Sequence, residues 1–257
     1  WKTDETLLRC HILPAFGDRP MSRVARYDVA TFLQDKRAGG LAPGSVNRQT
    51  ILIRYVYNLA LEWGVPGITE NPARKIKLFQ ENNKHERFLS QAEVGDLQAA
   101  LRQSDNRDLE NIVTLLLLTG ARRSEVLTAR WADVDFARKV WRVPHTKAGE
   151  ARYVPLSDPA VTLLSNIASR EESPYVFPSP KTGTPYRSIH HSWGSARKAA
   201  GMPDLRMHDL RHSYASFLIN NGHSLYLVQK LLGHHSIAVT ERYAHLAQDT
   251  LSQAANG

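Results

Sequence analysis

The stretch from Arg206 to Tyr243 reads RMHDLRHSYASFLINNGHSLYLVQKLLGHHSIAVTERY, and the rest of the chain is organised around it. His208 and Arg211 stand three residues apart, His234 follows a glycine, and Tyr243 follows a Thr-Glu-Arg run. A tyrosine downstream of two histidines and an arginine, all near helix ends, points to attack on an anionic group. Such an attack needs further cations and a proton donor, which must come from elsewhere in the chain.

Composition sets the first bounds. With 42% hydrophobic and 23% charged residues among 257, the chain has the make-up of a globular protein of one large domain or two ordinary ones. The longest uninterrupted apolar run, Leu115 to Leu118, is far below the roughly 20 residues of a membrane span. The single cysteine, Cys10, excludes an internal disulfide and predicts a reducing compartment, the cytoplasm. The formal charge of +8, denser in the first third, favours a polyanionic partner, with a merely solvated basic surface as the plainer alternative.

Apolar periodicity predicts helices over 3–13, from Asp28 to Arg37, and from Pro43 to Trp63. In the third, Leu52, Tyr55, Val56, Leu59 and Trp63 recur at helical spacing and are expected to be its buried face. Asn71-Pro72 breaks the pattern, and a polar, charged stretch follows. The expected organisation is therefore a helical domain over 1–72, a basic linker over 73–87 and a larger domain over 88–257. Ser90 and Glu93 form a capping box for a helix to Leu101, and an apolar helix runs from Leu109 to Thr119 and stops at Gly120. Another helix begins around Arg122. The period then changes: Val140 to Val143 and Arg152 to Pro155 read as two strands joined by a Lys147-Ala148-Gly149-Glu150 turn. Helices resume over 158–169 and 188–200. The fold class is mainly α with a small antiparallel β-sheet (α+β).

When a side-chain oxygen attacks a phosphodiester, negative charge grows on the non-bridging oxygens, and guanidinium forks match that geometry. Arg122, after the Thr119-Gly120 break, and Arg211, on a separate helix, are candidates to clamp one phosphate. Tyr243 supplies a nucleophile, and Lys147 at the hairpin tip an acid for the leaving oxygen. Each has a plainer reading: a surface arginine, a solvated lysine, a histidine on a helix dipole, a core aromatic. His208 and His212 have the spacing of a helical zinc pair, but Asp209 stands where glutamate would and no third ligand is evident, so His212 reads as a packing residue. No Gly-x-Ser-x-Gly elbow and no phosphate-binding Gly-Lys-Ser/Thr loop occurs.

The order of these groups is more telling than any one of them. LLLLTGARRSEVL, TKAGEARYVPL, MHDLRHSYAS and LLGHHSIAVTERYAH, in that sequence, closely resemble the tyrosine recombinases of the phage-integrase type. In that family an arginine follows a Thr-Gly turn, a lysine sits on a β-hairpin, and a His-x-x-Arg motif opens a helix. A histidine in Leu-Gly-His and a nucleophilic tyrosine complete the set. Carried onto this chain, these are Arg122, Lys147, His208, Arg211, His234 and Tyr243, with Glu125 in a supporting position. HILPAFGDRP and SVNRQTILIRYVYNLALEWG are similar to the family's helical core-binding domain, in which Arg48, Arg54, Arg74, Lys75 and Lys77 are candidates for DNA contact.

The resemblance implies site-specific recombination of double-stranded DNA without metal, ATP or other cofactor. Tyr243 would form a 3′-phosphotyrosyl bond and release a 5′-hydroxyl, which attacks the partner strand's phosphotyrosine. Arg122 and Arg211 would hold the phosphoryl oxygens, His208 and His234 would position the phosphate and assist proton movement, and Lys147 would protonate the 5′ oxygen. Two rounds of exchange would pass through a four-way junction held by a homotetramer on two duplexes, with 244–257 packing on a neighbour. Accessory DNA-bending or directionality factors belong to the same expectation. Many members also carry an N-terminal arm-binding domain, not visible before Trp1: either it has been trimmed, which the abrupt start favours, or this is a simpler recombinase without it. A type IB topoisomerase-like enzyme and a non-catalytic DNA-binding protein are the rival readings; exchange between two duplexes separates the first, and covalent adduct formation the second.

Overall fold

The computed structural model describes residues 2–82, 87–144, 151–233, 240–241 and 243–244. The chain divides into two compact units, residues 1–84 and 85–257.

The first unit is helical. α1 (Lys2–Leu7) runs through a π-helical turn (Leu8–Ile12) into α2 (Leu13–Phe16), followed by α3 (Arg26–Ala38) and α4 (Pro43–Glu62). Asp28 caps α3 from within its first turn, accepting the Ala25 N–H at 2.9 Å. Proline opens α4, where its missing N–H costs no helical bond. The buried apolar positions of α4 are Val46, Leu52, Ile53, Tyr57 and Ala60, and the first four pack with Val29, Phe32 and Leu33 of α3. This corrects the expected face: Tyr55 is 58% and Trp63 72% exposed. The buried apolar row is 46–53–57–60, about one residue round the helix from the expected one, and polar Asn47, Gln49 and Thr50 are buried beside it.

The polar stretch after Pro72 is bound to α4 over much of its length. Asn47 donates to the Phe79 carbonyl at 2.9 Å and accepts the Phe79 N–H at 2.8 Å. Arg54 donates to the carbonyls of Ala73 and Ile76 at 3.2 and 2.9 Å.

In the second unit, α5 (Gln91–Arg102) opens on the expected capping box: Ser90 Oγ accepts the Glu93 N–H, and the Glu93 carboxylate accepts the Ser90 N–H at 2.8 Å. α6 (Leu109–Thr119) buries six of its eleven residues, as its Leu115–Leu118 run requires, and packs against α8 (Asp158–Ser165) and α10 (Asp209–Asn220). The sheet has strand order β1 (Val134–Asp135), β2 (Val140–Val143), β3 (Arg152–Pro155), all antiparallel, with Trp141 facing both Val134 and Val154. β1 was not foreseen, because two residues carry no alternation to read. The expected 158–169 helix ends at Ser165, and a 3-10 turn covers Ala168–Arg170. α7 (Arg123–Leu127), α9 (His190–Ala199) and α11 (Leu225–Leu232) complete the unit. Trp141, Val154, Phe177, Trp193 and Leu210 meet in its core. Among the described residues no helix is long and apolar enough to cross a membrane.

Candidate active site

The site is built where four chain segments end together. α6 stops at Gly120, whose φ of 60° is left-handed. Side chains other than glycine rarely adopt that geometry, and a Cβ there would lie 2.3 Å from the Tyr214 ring. The Gly120 carbonyl accepts Arg211 Nη1 at 2.6 Å, and the Leu232 carbonyl, at the end of α11, accepts Arg211 Nη2 at 2.6 Å. Arg211 is thus aimed by two backbone carbonyls at helix ends, where the dipole favours a cation. Each of its terminal nitrogens retains a second N–H by valence.

The chain turns after Gly120, and Arg122 becomes the residue before α7. Its backbone N–H and its Nη1 both donate to Glu125, each at 2.8 Å. Glu125 is buried and also accepts Arg152 Nη2 at 2.7 Å. Arg152 Nη1 donates to the Leu231 carbonyl at 3.0 Å. Gly233, with φ 65°, allows this approach: a Cβ there would lie 2.9 Å from Arg152 Cδ.

Two guanidiniums, Arg122 and Arg152, therefore hold one buried carboxylate, with Arg211 within electrostatic reach of all three, leaving positive charge in excess. Burial lowers the Arg211 pKa to about 10, and repulsion from Arg122 and Arg152 adds to the shift. Burial alone would push the Glu125 carboxyl up, but hydrogen bonds and charge from Arg152 and Arg122 hold it below the ordinary value. A site whose buried arginine is destabilised by its own neighbours is one that a phosphate dianion or diester would relieve.

Tyr243 is 5% exposed and packs against Ala215 and Ile219 of α10 and Val228 and Leu232 of α11. It is close enough to Arg211 to act on its charge. His212 Nδ1 is in hydrogen-bond contact with the Tyr243 hydroxyl. His208, just before α10, is exposed, and its ring meets the His212 ring edge-on at 4.8 Å. Asp209 behind it is fully buried and accepts the Arg206 N–H at 2.8 Å, which fixes the start of the helix.

Arg122, Glu125, Arg211 and Tyr243 are thus brought together, with His208 beside them through His212. Lys147 and His234 lie outside the described residues. Arg74, Lys75 and Lys77 are exposed, Arg48 is paired with Asp4 at 2.7 Å, and Arg54 holds two backbone carbonyls. Two residues were undervalued. Arg152 carries a signal in its strand: it shares the inward side of β3 with buried Val154, where an unpaired charge is not tolerated. His212 is no mere packing residue, since its ring touches the tyrosine hydroxyl across 31 positions that no local pattern spans. Among the described residues no group of three or more histidine, cysteine, aspartate or glutamate side chains is arranged to hold a metal.

A mostly helical unit with a three-stranded sheet thus carries two arginines on one buried carboxylate, a third within electrostatic reach, and a tyrosine beside them. The phage integrase family model matches residues 87–250, and the chain belongs to that family: it is a tyrosine recombinase acting in site-specific DNA recombination. It is 34% identical over 193 residues to the integrase of Salmonella phage P22, covering 70% of this chain and 49% of that one. It is 29% identical over 235 residues to a tyrosine recombinase of Thermosipho africanus, covering 89% and 83%. Among solved structures, the Tn1549 transposon integrase in complex with transposon right end DNA superposes with a TM-score of 0.79 at 17% identity, covering 99% of this chain and 93% of that one. A lambda integrase tetramer bound to a Holliday junction superposes with a TM-score of 0.73 at 19% identity, covering 91% and 71%.

Proposed function

We propose that Tyr243 attacks the scissile phosphate of a double-stranded DNA site, forming a 3′-phosphotyrosyl bond and releasing a 5′-hydroxyl. Arg122 and Arg211 hold the two non-bridging oxygens, and His208 and His234 position the phosphate and assist proton movement. Lys147 protonates the departing 5′ oxygen. Glu125 holds Arg122 in place. The observation that carries this reading is the pairing of Arg122 and Arg152 with one buried carboxylate, with Arg211 in electrostatic reach of them and Tyr243 acting electrostatically on Arg211. Preorganised cations of this kind stabilise charge that develops only in the transition state.

The hydroxyl released from one duplex attacks the phosphotyrosine of the other, so bond energy is conserved and neither metal nor ATP is consumed. Four protomers on two duplexes carry out two such exchanges through a four-way junction; the lambda integrase tetramer on a Holliday junction supports this assembly. Residues 1–72 act as the core-binding domain, 73–87 as a basic linker and 88–257 as the catalytic domain. Residues 244–257 dock on a neighbour. Exposed Arg74, Lys75 and Lys77 meet DNA phosphates, with Arg48 and Arg54 contributing from α4. The setting is the bacterial cytoplasm, and the outcome is integration or excision of a mobile element with help from accessory DNA-bending or directionality factors.

The test is covalent trapping. Nicked suicide duplexes with a randomised core are incubated with the protein, and adducts are isolated under denaturing conditions and sequenced. Wild type yields an adduct at a defined position and Tyr243→Phe yields none. An adduct from the Phe variant removes Tyr243 from the reaction.

A further inference from the structure

We infer that His212 is a further catalytic residue, the group that takes the proton from the Tyr243 hydroxyl as it attacks; this rests on Tyr243 being the nucleophile. A neutral tyrosine must lose its proton when its oxygen bonds to phosphorus, and Arg211, one residue before His212, is cationic and has no lone pair to receive it. His212 Nδ1 is already in hydrogen-bond contact with that hydroxyl. Successive residues on a helix point about 100° apart. Arg211 thus reaches the Gly120 and Leu232 carbonyls, while His212 joins Ala215 and Ile219 on the side of α10 that receives the Tyr243 ring. One helix so delivers a phosphate ligand and a base from adjacent positions. The His212 ring is itself held, buried on the helix with the His208 ring edge-on against it.

The balance is complete. The Tyr243 oxygen forms a bond to phosphorus, the bond from phosphorus to the 5′ oxygen breaks, and its electron pair stays on that oxygen, which is protonated by the acid of the site. The tyrosine proton resides on His212 Nδ1 and returns when the 5′-hydroxyl of the incoming strand displaces the phenolate.

The duplex recovered by trapping is made in two forms, with a 5′-bridging oxygen or a 5′-bridging sulfur at the cleavage position; the sulfur leaves without a proton donor. His212→Asn keeps a hydrogen-bonding group near the hydroxyl but is not a base, and single-turnover cleavage is expected to fall about a hundredfold or more. The loss is equal on both duplexes, whereas a variant lacking the acid is rescued by sulfur. His212→Ala is slow and is partly restored by added imidazole, a readout that a structural role would not give. Comparison of thermal transitions identifies any variant that fails to fold, and imidazole rescue then carries the decision. Cleavage by His212→Asn within about threefold of wild type overturns the assignment. So does a His212→Ala protein that cleaves faster, which would make the contact a restraint. If Tyr243→Phe forms no adduct, those two outcomes leave the nucleophile standing; if it does form one, the underlying reading fails first.

Discussion

Arg152 donates to the Glu125 carboxylate at 2.7 Å across 27 positions of sequence, and so ties β3 to the start of α7. The same guanidinium reaches the Leu231 carbonyl at the end of α11. Three elements of the site are therefore held by one side chain. Arg122, which pairs with the other Glu125 oxygen, is aimed by the same carboxylate.

Replacing Arg152 with alanine leaves Glu125 buried with one cationic partner fewer. Breaking a buried ion pair from one side costs about 3 kcal/mol or more, so Arg152→Ala should lower the thermal midpoint clearly. It should also slow adduct formation, because Arg122 loses a fixed partner. Arg152→Lys should recover part of the stability but less of the rate, since an ammonium cannot span two acceptors in a planar fork. Denaturant unfolding together with single-turnover cleavage checks both parts.

Gly120→Ala meets two obstacles at once, a left-handed backbone and a Cβ only 2.3 Å from the Tyr214 ring. The backbone cost alone is about 1 kcal/mol, and the clash adds to it. Because the Gly120 carbonyl orients Arg211, DNA cleavage should fall further than stability does. Gly222→Ala, also left-handed but with open space around it, is the control: it should cost stability and spare cleavage.

Stability should depend on pH through Glu125. Its folded pKa lies below the ordinary 4.5, so the unfolded chain binds the proton more readily. The carboxylate's contribution is therefore complete above that ordinary value and is lost as pH falls through it toward the folded pKa. Thermal midpoints of wild type and Glu125→Gln, taken from pH 7 to pH 3, should differ most at the upper end and converge toward the lower. A gap that widens on acidification would contradict the pairing.

Arg211→Lys keeps the charge but cannot bond two carbonyls while offering further N–H groups to a phosphate. Cleavage should drop by about a hundredfold or more, the scale seen when one preorganised donor is removed. Duplex binding, governed by many phosphate contacts, should change little and should retain its steep fall with added salt. Filter binding across a salt series, beside the cleavage assay, separates the two effects.

Much of this protein is written locally. The capping box at Ser90, the apolar helix ending at Gly120 and the strands at Val140 and Arg152 are readable because each depends on neighbours a few residues away. The face of α4 was not, because which row of that helix turns inward is settled by α3, and Tyr55 and Trp63 are as apolar as the residues that won. At the site, motif order alone named Arg122, Glu125, His208, Arg211 and Tyr243.

The sequence by itself thus determined the kind of chemistry, through ordered motifs that resemble those of the tyrosine recombinases. Only the tertiary structure decided how those residues act on one another. It placed Arg152 on Glu125 and His212 on Tyr243, contacts made when helix ends and a strand meet. A hydrogen bond across 27 or 31 positions leaves no periodic trace in the chain, because chain ends that converge in space are fixed by the core and not by the residues between them.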